Sequence, residues 1–483
     1  MASKTNKIKR FVIYPLLFLA AMFGVYALYA SVLIYKGVEP LPRPRYGRQA
    51  IKPWPKKEPR HILVLSLDAL RPDHMGAYGY DRLTTPNVDK LAAEGVQYFN
   101  HFAPLGSTYY SLRTLLSGYA PSAYTIPGKQ VYLPGSLESR GFVTGRFYKV
   151  PGVPFEHDFY HELAEQSVRP FFERSFPRKI LRLLEKRNDR DYGPMTVNTK
   201  VALLEYQRPH IVEFFAKNND HRVFAFVHSE DGHYPFRLLR RNYQFVPDGA
   251  INDKAAWQWT LRDGYVDEVR RRFDEDPRPT EEKLDILIGY YDSVIAEWDR
   301  QVGLLLDELK ALGVLRDTLV IITSDHGEEF LEHGNLLHCQ TVVPEQIRVP
   351  LIAYWPKGGK AWRGGINKGI SSHEMLEWSI ESVTREGTGL ILPTWQGPPE
   401  SPIYLGVCPG NNYYDGKVDK PAGILTGGGV LFATTFDKFT GEMGEASLYH
   451  LKNDPMGKND LSAEYPEQTA KFKELLANHC AAN

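Results

Sequence analysis

Four short apolar runs, each closing on polar residues, set the pattern of this chain. They are Ile62–Leu67 before Asp68, Val223–Val227 before His228, Leu319–Thr323 before Ser324-Asp325-His326, and Val349–Tyr354. Uninterrupted apolar runs of this length suit strands of a parallel sheet that is covered on both faces. Between them the periodicity changes. Tyr291, Ile295, Trp298, Val302, Leu305 and Leu309 recur at spacings of three and four, one face of a helix, and Gly313 follows as a stop signal. From Gly423 to Leu451 the pattern alternates and is rich in glycine, which predicts a small antiparallel sheet. Glu464 to Ala477 reads as a closing helix. The expected fold is α/β: a mostly parallel central sheet with helices on both faces, followed by a small C-terminal antiparallel sheet.

The N-terminus has a different pattern. Phe11 to Tyr35 is uncharged and mostly apolar, about 37 Å long as a helix at about 1.5 Å per residue, enough to span a bilayer core with some tilt. Lys4, Lys7, Lys9 and Arg10 precede it and place the N-terminus in the cytoplasm, although Lys36, Arg43, Arg45 and Arg48 beyond it weaken the asymmetry. A cleaved signal peptide is the other reading, but the apolar stretch is long for one and no small-x-small site follows cleanly. Gly37 to Arg60, rich in proline and basic residues, reads as an extended tether. The expected layout is a cytoplasmic tail at 1–10, a transmembrane anchor at 11–35, a linker at 36–60, a catalytic domain at 61–400 and a small α+β subdomain at 401–483.

At 483 residues the chain exceeds one compact core. Lys plus Arg and Asp plus Glu both number 58, so there is no electrostatic case for nucleic-acid binding. The three cysteines, Cys339, Cys408 and Cys480, are too few and too uneven for a disulfide framework.

Three of the four apolar runs end on Asp or His. In open α/β sheets ligands bind just outside the carboxyl ends of the strands. Asp68 and Asp325 offer carboxylate oxygens and His326 a nitrogen, a set suited to a divalent metal, zinc or manganese better than calcium or magnesium. A metal in such a set activates an oxygen nucleophile. The candidate nucleophile is Thr108 in the segment Gly106 to Gly118, where Ser111 to Leu116 predicts a short helix. The free N–H groups at a helix start favour an anion such as phosphate; a simple capping role accounts for a threonine there as well. His228 reads either as a hydrogen-bonded core residue or as a substrate contact, and His333 as a residue that orients the loop after Asp325.

Together these residues resemble the alkaline phosphatase/sulfatase superfamily. The resemblance rests on Asp68-Ala69-Leu70-Arg71-Pro72-Asp73 after a strand, Tyr78-Gly79-Tyr80, Thr84-Thr85-Pro86-Asn87, Leu91-Ala92-Ala93-Glu94-Gly95 and Leu115-Leu116-Ser117-Gly118. It continues in Phe226-Val227-His228 with His233, in Thr318 to Gly334, in Glu345 to Ile352 and in Ser447 to Pro455. Sulfatases carry a Cys or Ser, oxidised to formylglycine, where this chain has Thr108, and threonine cannot become formylglycine. Members with Thr there resemble phosphodiesterases and membrane-anchored phosphoethanolamine or phosphoglycerol transferases. The resemblance implies a metal set of Asp68, Thr108, Asp325 and His326, catalytic His233 and His338 on the phosphoryl oxygens, and Lys149 and His228 at the substrate. Ala69 stands where sulfatases often have a second Asp, and Pro151 where a His is usual. The expected function is a metal-dependent phosphotransferase or phosphodiesterase that works through a phospho-threonine on a phospholipid or cell-envelope glycan. Its expected location is the bacterial inner membrane, with the catalytic domain in the periplasm. Sulfuric-ester hydrolysis is an alternative, as is an inactive membrane-anchored lipid or glycan sensor, which the intact set of Asp68, Thr108, Asp325 and His326 opposes.

Overall fold

The computed structural model describes residues 58–121, 132–148, 153, 155–159, 203–234, 236, 243–247, 280–358, 365–386, 402–406, 420–437 and 440–482. The expected tail and anchor, the linker up to residue 57, Lys149 and Pro151 lie outside them. Among the described residues no helix is long and apolar enough to cross a membrane.

The chain forms β1 (His61–Leu67), α1 (Pro86–Glu94), β2 (Val96–Phe102), α2 (Thr108–Ser117), α3 (Leu133–Glu138), β3 (Phe142–Arg146) and β4 (His157–Asp158). Then come α4 (Leu204–Lys217), β5 (Arg222–Ser229), α5 (Glu281–Ala311), β6 (Thr318–Ser324), the short pair β7 (Glu329–Phe330) and β8 (Leu336–Leu337), α6 (Pro344–Ile347), β9 (Arg348–Tyr354), β10 (Gly365–Ser372) and α7 (Leu376–Glu386). The remaining elements are β11 (Ile403–Gly406), β12 (Lys420–Leu425), β13 (Val430–Phe436), β14 (Met443–His450) and α8 (Pro466–Ala482).

The large sheet has the order β10-β2-β9-β6-β1-β5-β3-β4. β1, β5 and β6 sit at its centre and are buried along their whole length, which is why their sequences are apolar on both faces. Ile62, Val64, Phe224, Phe226, Leu319 and Ile321 pack in one cluster with residues of α2, α3 and α7. The alternate residues Leu63, Leu65 and Val320 point to the other face and are equally buried. The predicted helical stripe lies on α5, with Tyr291, Ile295, Trp298, Val302, Leu305 and Leu309 all buried. The helix begins earlier than that stripe, capped by the Thr280 side chain, which accepts a bond from the Lys283 amide. Gly313, at φ +79°, follows its C-cap residue Leu312.

One expectation fails. The run Val349–Tyr354 becomes β9, which pairs antiparallel with both β6 and β2, while every other pair in this sheet is parallel. A parallel neighbour needs a crossover that carries the chain back to the starting edge. Here the residues after β6 stay at its carboxyl end, build β7, β8 and α6 there, and re-enter the sheet from that same end.

The C-terminal sheet has the order β11-β12-β13-β14 and is antiparallel throughout. Its period-two pattern feeds two cores. Ile403, Leu405, Leu425, Leu431, Ala433 and Tyr449 join the main core, whereas Ile424, Phe432, Phe436 and Leu448 pack on Phe472 and Leu476 of α8. Cys480 is disulfide-bonded and Cys339 is a free thiol, so the sparse cysteines do include a bridge.

Candidate active site

Strand register assembles the site. Leu67 pairs with Ser229 on β5 and with Ser324 on β6, and Ser66 pairs with His228. Asp68, His228 and Asp325 therefore leave three adjacent parallel strands at the same level. Asp325 is fixed through one oxygen: its Oδ1 accepts from the Ala69 amide at 3.1 Å and the His326 amide at 2.8 Å. Ala69, at φ +59°, is in the left-handed region as it presents that amide. Asp325 Oδ2 and Asp68 Oδ1 are buried and have no hydrogen-bond partner.

His326 is set up in the same way. Its Nδ1–H donates to the Gly327 carbonyl at 2.8 Å, which turns Nε2 toward the two carboxylates. That nitrogen lies 3.3 Å from Asp325 Oδ2, 3.7 Å from Asp68 Oδ1 and 3.2 Å from Thr108 Oγ1. Two ligand bonds of about 2.1 Å to one ion span about 3 Å at a right angle and at most about 4.2 Å, so these separations suit a shared cation. Buried charges are paired or hold metals, and the two orphaned carboxylate oxygens are what a divalent ion would satisfy. Asp68, His228 and Asp325 also offer ligand atoms within 4.8 Å of one another.

Thr108 is the first residue of α2. Ser107 occupies the cap position, and no side chain makes a capping bond there. The Thr108 hydroxyl instead lies 3.4 Å from Asp68 Oδ2, to which it donates, and against His326. The simple capping role is therefore excluded, and the hydroxyl faces Asp68 and His326 at the positive end of a helix.

A second group of residues faces this cluster. The His338 ring lies 4.3 Å from the His326 ring and 5.3 Å from the His233 ring, between centroids. Its Nδ1–H donates to Glu328 Oε1 at 3.0 Å, so that bond fixes the ring through Nδ1 and not Nε2. His233 is exposed. His228, expected among the substrate contacts, is fully enclosed, with its Nε2 3.3 Å from Asp68 Oδ2 and the Tyr148 ring 4.5 Å away. His333 holds Glu345 at 3.0 Å and orients the loop, as expected of it. Sequence reasoning missed Glu328, and it missed Tyr148 with Glu230, which share a bond of 2.9 Å. The acidic pair Glu328-Glu329 was a visible signal. The two do different work, since Glu329 accepts from Gln346, His333 and Asn335 and only braces the loop.

Charge follows this geometry. Burial opposes the Asp68 charge, but His233, His228 and His326 outweigh it and hold that carboxyl below its ordinary range. Burial keeps His326 below the usual imidazole value. Burial also acts to lower His338, but Glu328 overrides it and lifts the ring to about 9. In the metal-free protein the stability contributed by this pair is full below the ordinary 6.5 and is lost as pH rises through about 9. The melting temperature of the wild type should thus fall across that window more steeply than that of Glu328→Gln. Parallel curves would show that the pair is not formed.

With this geometry in place, the comparison with known proteins decides the family. Residues 60–377 match the Sulfatase family model. The chain belongs to the sulfatase family. It is 23% identical to human arylsulfatase A over 408 residues, covering 72% of this chain and 68% of the relative. It is 22% identical to N-acetylglucosamine-6-O-sulfatase of Bacteroides thetaiotaomicron, covering 86% and 85%. Among solved structures, phosphonate monoester hydrolase of Agrobacterium radiobacter superposes with a TM-score of 0.60 at 19% identity, covering 88% of this chain and 96% of that one. The last likeness is one of fold. This sulfatase-family chain thus has the alkaline phosphatase/sulfatase architecture, and its buried Asp and His cluster fits the divalent metal of such hydrolases.

Proposed function

We propose that this sulfatase-family protein cleaves phosphoric-type esters, phosphodiesters above all, through a covalent phospho-threonine at Thr108. Similarity alone favours sulfuric esters, the substrates named for arylsulfatase A and the N-acetylglucosamine sulfatase. The phosphoric reading is carried by one observation: a threonine hydroxyl, which cannot become an aldehyde, stands at the nucleophile's place against Asp68 and His326.

Thr108 Oγ1 gives its proton to solvent water and attacks phosphorus in line. The O–P bond to Thr108 forms as the ester P–O bond breaks, and the leaving oxygen takes a proton from His338 Nε2. Water or an acceptor hydroxyl then attacks phosphorus and releases Thr108, and the attacking oxygen gives its proton to a histidine. His233 and the α2 N-terminus steady the non-bridging oxygens. A divalent metal held by Asp68, Asp325, His326 and Thr108 would acidify the hydroxyl and neutralise charge on those oxygens.

The apolar segment Phe11–Tyr35 and the disulfide at Cys480 support an extracytoplasmic, membrane-anchored enzyme. The reading extends to a phospholipid or cell-envelope glycan as substrate, with Lys149 at its anionic group and zinc or manganese as the metal. The test is a matched panel of p-nitrophenyl sulfate, bis-p-nitrophenyl phosphate and p-nitrophenyl phenylphosphonate, with intact-mass analysis of acid-quenched enzyme. Diester turnover with a phosphorylated Thr108 peptide is expected. Turnover confined to the sulfate ester, with no adduct, would transfer the conclusion to sulfuric-ester hydrolysis.

A further inference from the structure

We propose that His228 is a further metal ligand, a second imidazole nitrogen beside that of His326. The proposal deepens the metal-dependent reading above and is independent of whether phosphorus or sulfur is attacked.

The ring is built into the site rather than laid over it. His228 lies on β5, in register with Ser66 on β1, and its Nδ1 is 3.0 Å from Ser66 Oγ. The strand pairing therefore fixes one edge of the ring and aims the other at the carboxylates. Nε2 lies 3.3 Å from Asp68 Oδ2 and 3.9 Å from Asp325 Oδ2. His326 has the same construction, one nitrogen held by a neighbouring acceptor and the other converging on the same pair of acids. An outer partner on the far nitrogen is the usual mark of a metal-bound imidazole. Ala69 adds no oxygen; its amide is spent on Asp325 Oδ1. The side chain of His228 is fully enclosed, so it meets no substrate arriving from solvent. The orphaned Asp325 Oδ2 is within reach of both imidazoles, 3.3 Å from His326 Nε2 and 3.9 Å from His228 Nε2.

Two imidazoles change which ion the site selects. Carboxylate oxygens alone suit magnesium, calcium and manganese, whereas imidazole nitrogen shifts preference toward zinc and other late first-row ions. The competing arrangement is an imidazolium that merely pairs with Asp68 and never touches the ion.

The experiment uses the purified full-length chain, stripped with chelator and reloaded with one equivalent of metal. Pulsed electron paramagnetic resonance of the copper-loaded protein counts coordinated imidazoles directly, without any substitution. Two are expected in the wild type and one in His228→Gln. Chelator competition should show zinc affinity falling about 100-fold in His228→Gln and about 10-fold in Ser66→Ala, with calcium binding nearly unchanged. Ser66→Ala keeps the ring and guards against a misfolded His228 variant. A single coupled imidazole in the wild type, or zinc affinity within twofold in both variants, would refute the proposal and leave the imidazolium arrangement. A wild type that binds no divalent ion would refute the metal site as well, whereas the ester-class reading would fail only in the substrate panel.

Discussion

Thr108→Ala is expected to lose at least about four orders of magnitude in turnover, because the covalent intermediate has no other oxygen to form on. Its fold should be intact. Ser107 rather than Thr108 holds the cap position, and the Thr108 hydroxyl meets Asp68 and His326, so the stability change stays within about 0.5 kcal/mol, the usual range where no cap or core is lost. Thr108→Ser should retain part of the rate, since its hydroxyl occupies the same place beside Asp68 and His326. Ser107→Ala, one residue away at the cap position, should stay near wild type. The check is hydrolysis of bis-p-nitrophenyl phosphate by the three variants, with melting temperatures alongside. Wild-type turnover in Thr108→Ala, or loss confined to Ser107→Ala, would remove Thr108 from the reaction.

The second large effect belongs to Asp325, and here the choice of substitution matters. Asp325→Ala removes the acceptor of two buried amides, Ala69 and His326; each unsatisfied donor costs about 1–3 kcal/mol. That variant should lose metal and also unfold more easily, so removing this ligand does not leave the fold untouched. Asp325→Asn keeps the accepting oxygen and removes only the charge. Without metal it should be at least as stable as the wild type, because Asp325 Oδ2 is buried without a hydrogen bond, which is costly for a charged oxygen. With metal the order reverses: an ion at 100 times its Kd stabilises the wild type by about 2.7 kcal/mol, and the variant gains little. Elemental analysis and melting curves with and without chelator decide this. A stoichiometric ion retained by Asp325→Asn would take Asp325 out of the ligand set.

Much of the fold could be read along the chain because burial on both faces leaves a local mark. The runs ending at Asp68, His228 and Asp325 are apolar throughout since β1, β5 and β6 are covered above and below, and the helical stripe from Tyr291 to Leu309 records one buried face of α5. The direction of β9 left no such mark, because an antiparallel strand buried on both faces has the same composition as a parallel one. Glu328 and Glu329 show the same limit at the site. They are adjacent, identical and both fully buried, yet one holds His338 and the other braces the loop. Tyr148 and Glu230 meet across 82 positions, and nothing local to either residue announces the contact.

The class of sheet, the strand ends that carry acid and imidazole groups, the threonine at the head of α2 and the apolar N-terminal segment can all be read from residue order. It takes the folded chain to show that Asp325 holds the Ala69 amide from 256 residues away, that His228 turns inward beside Ser66, and that Glu328 rather than Glu329 reaches His338. Periodicity and residue chemistry are properties of neighbours along the chain. Which side chains converge on one point is set by strand order and register, and those are fixed only when the core packs.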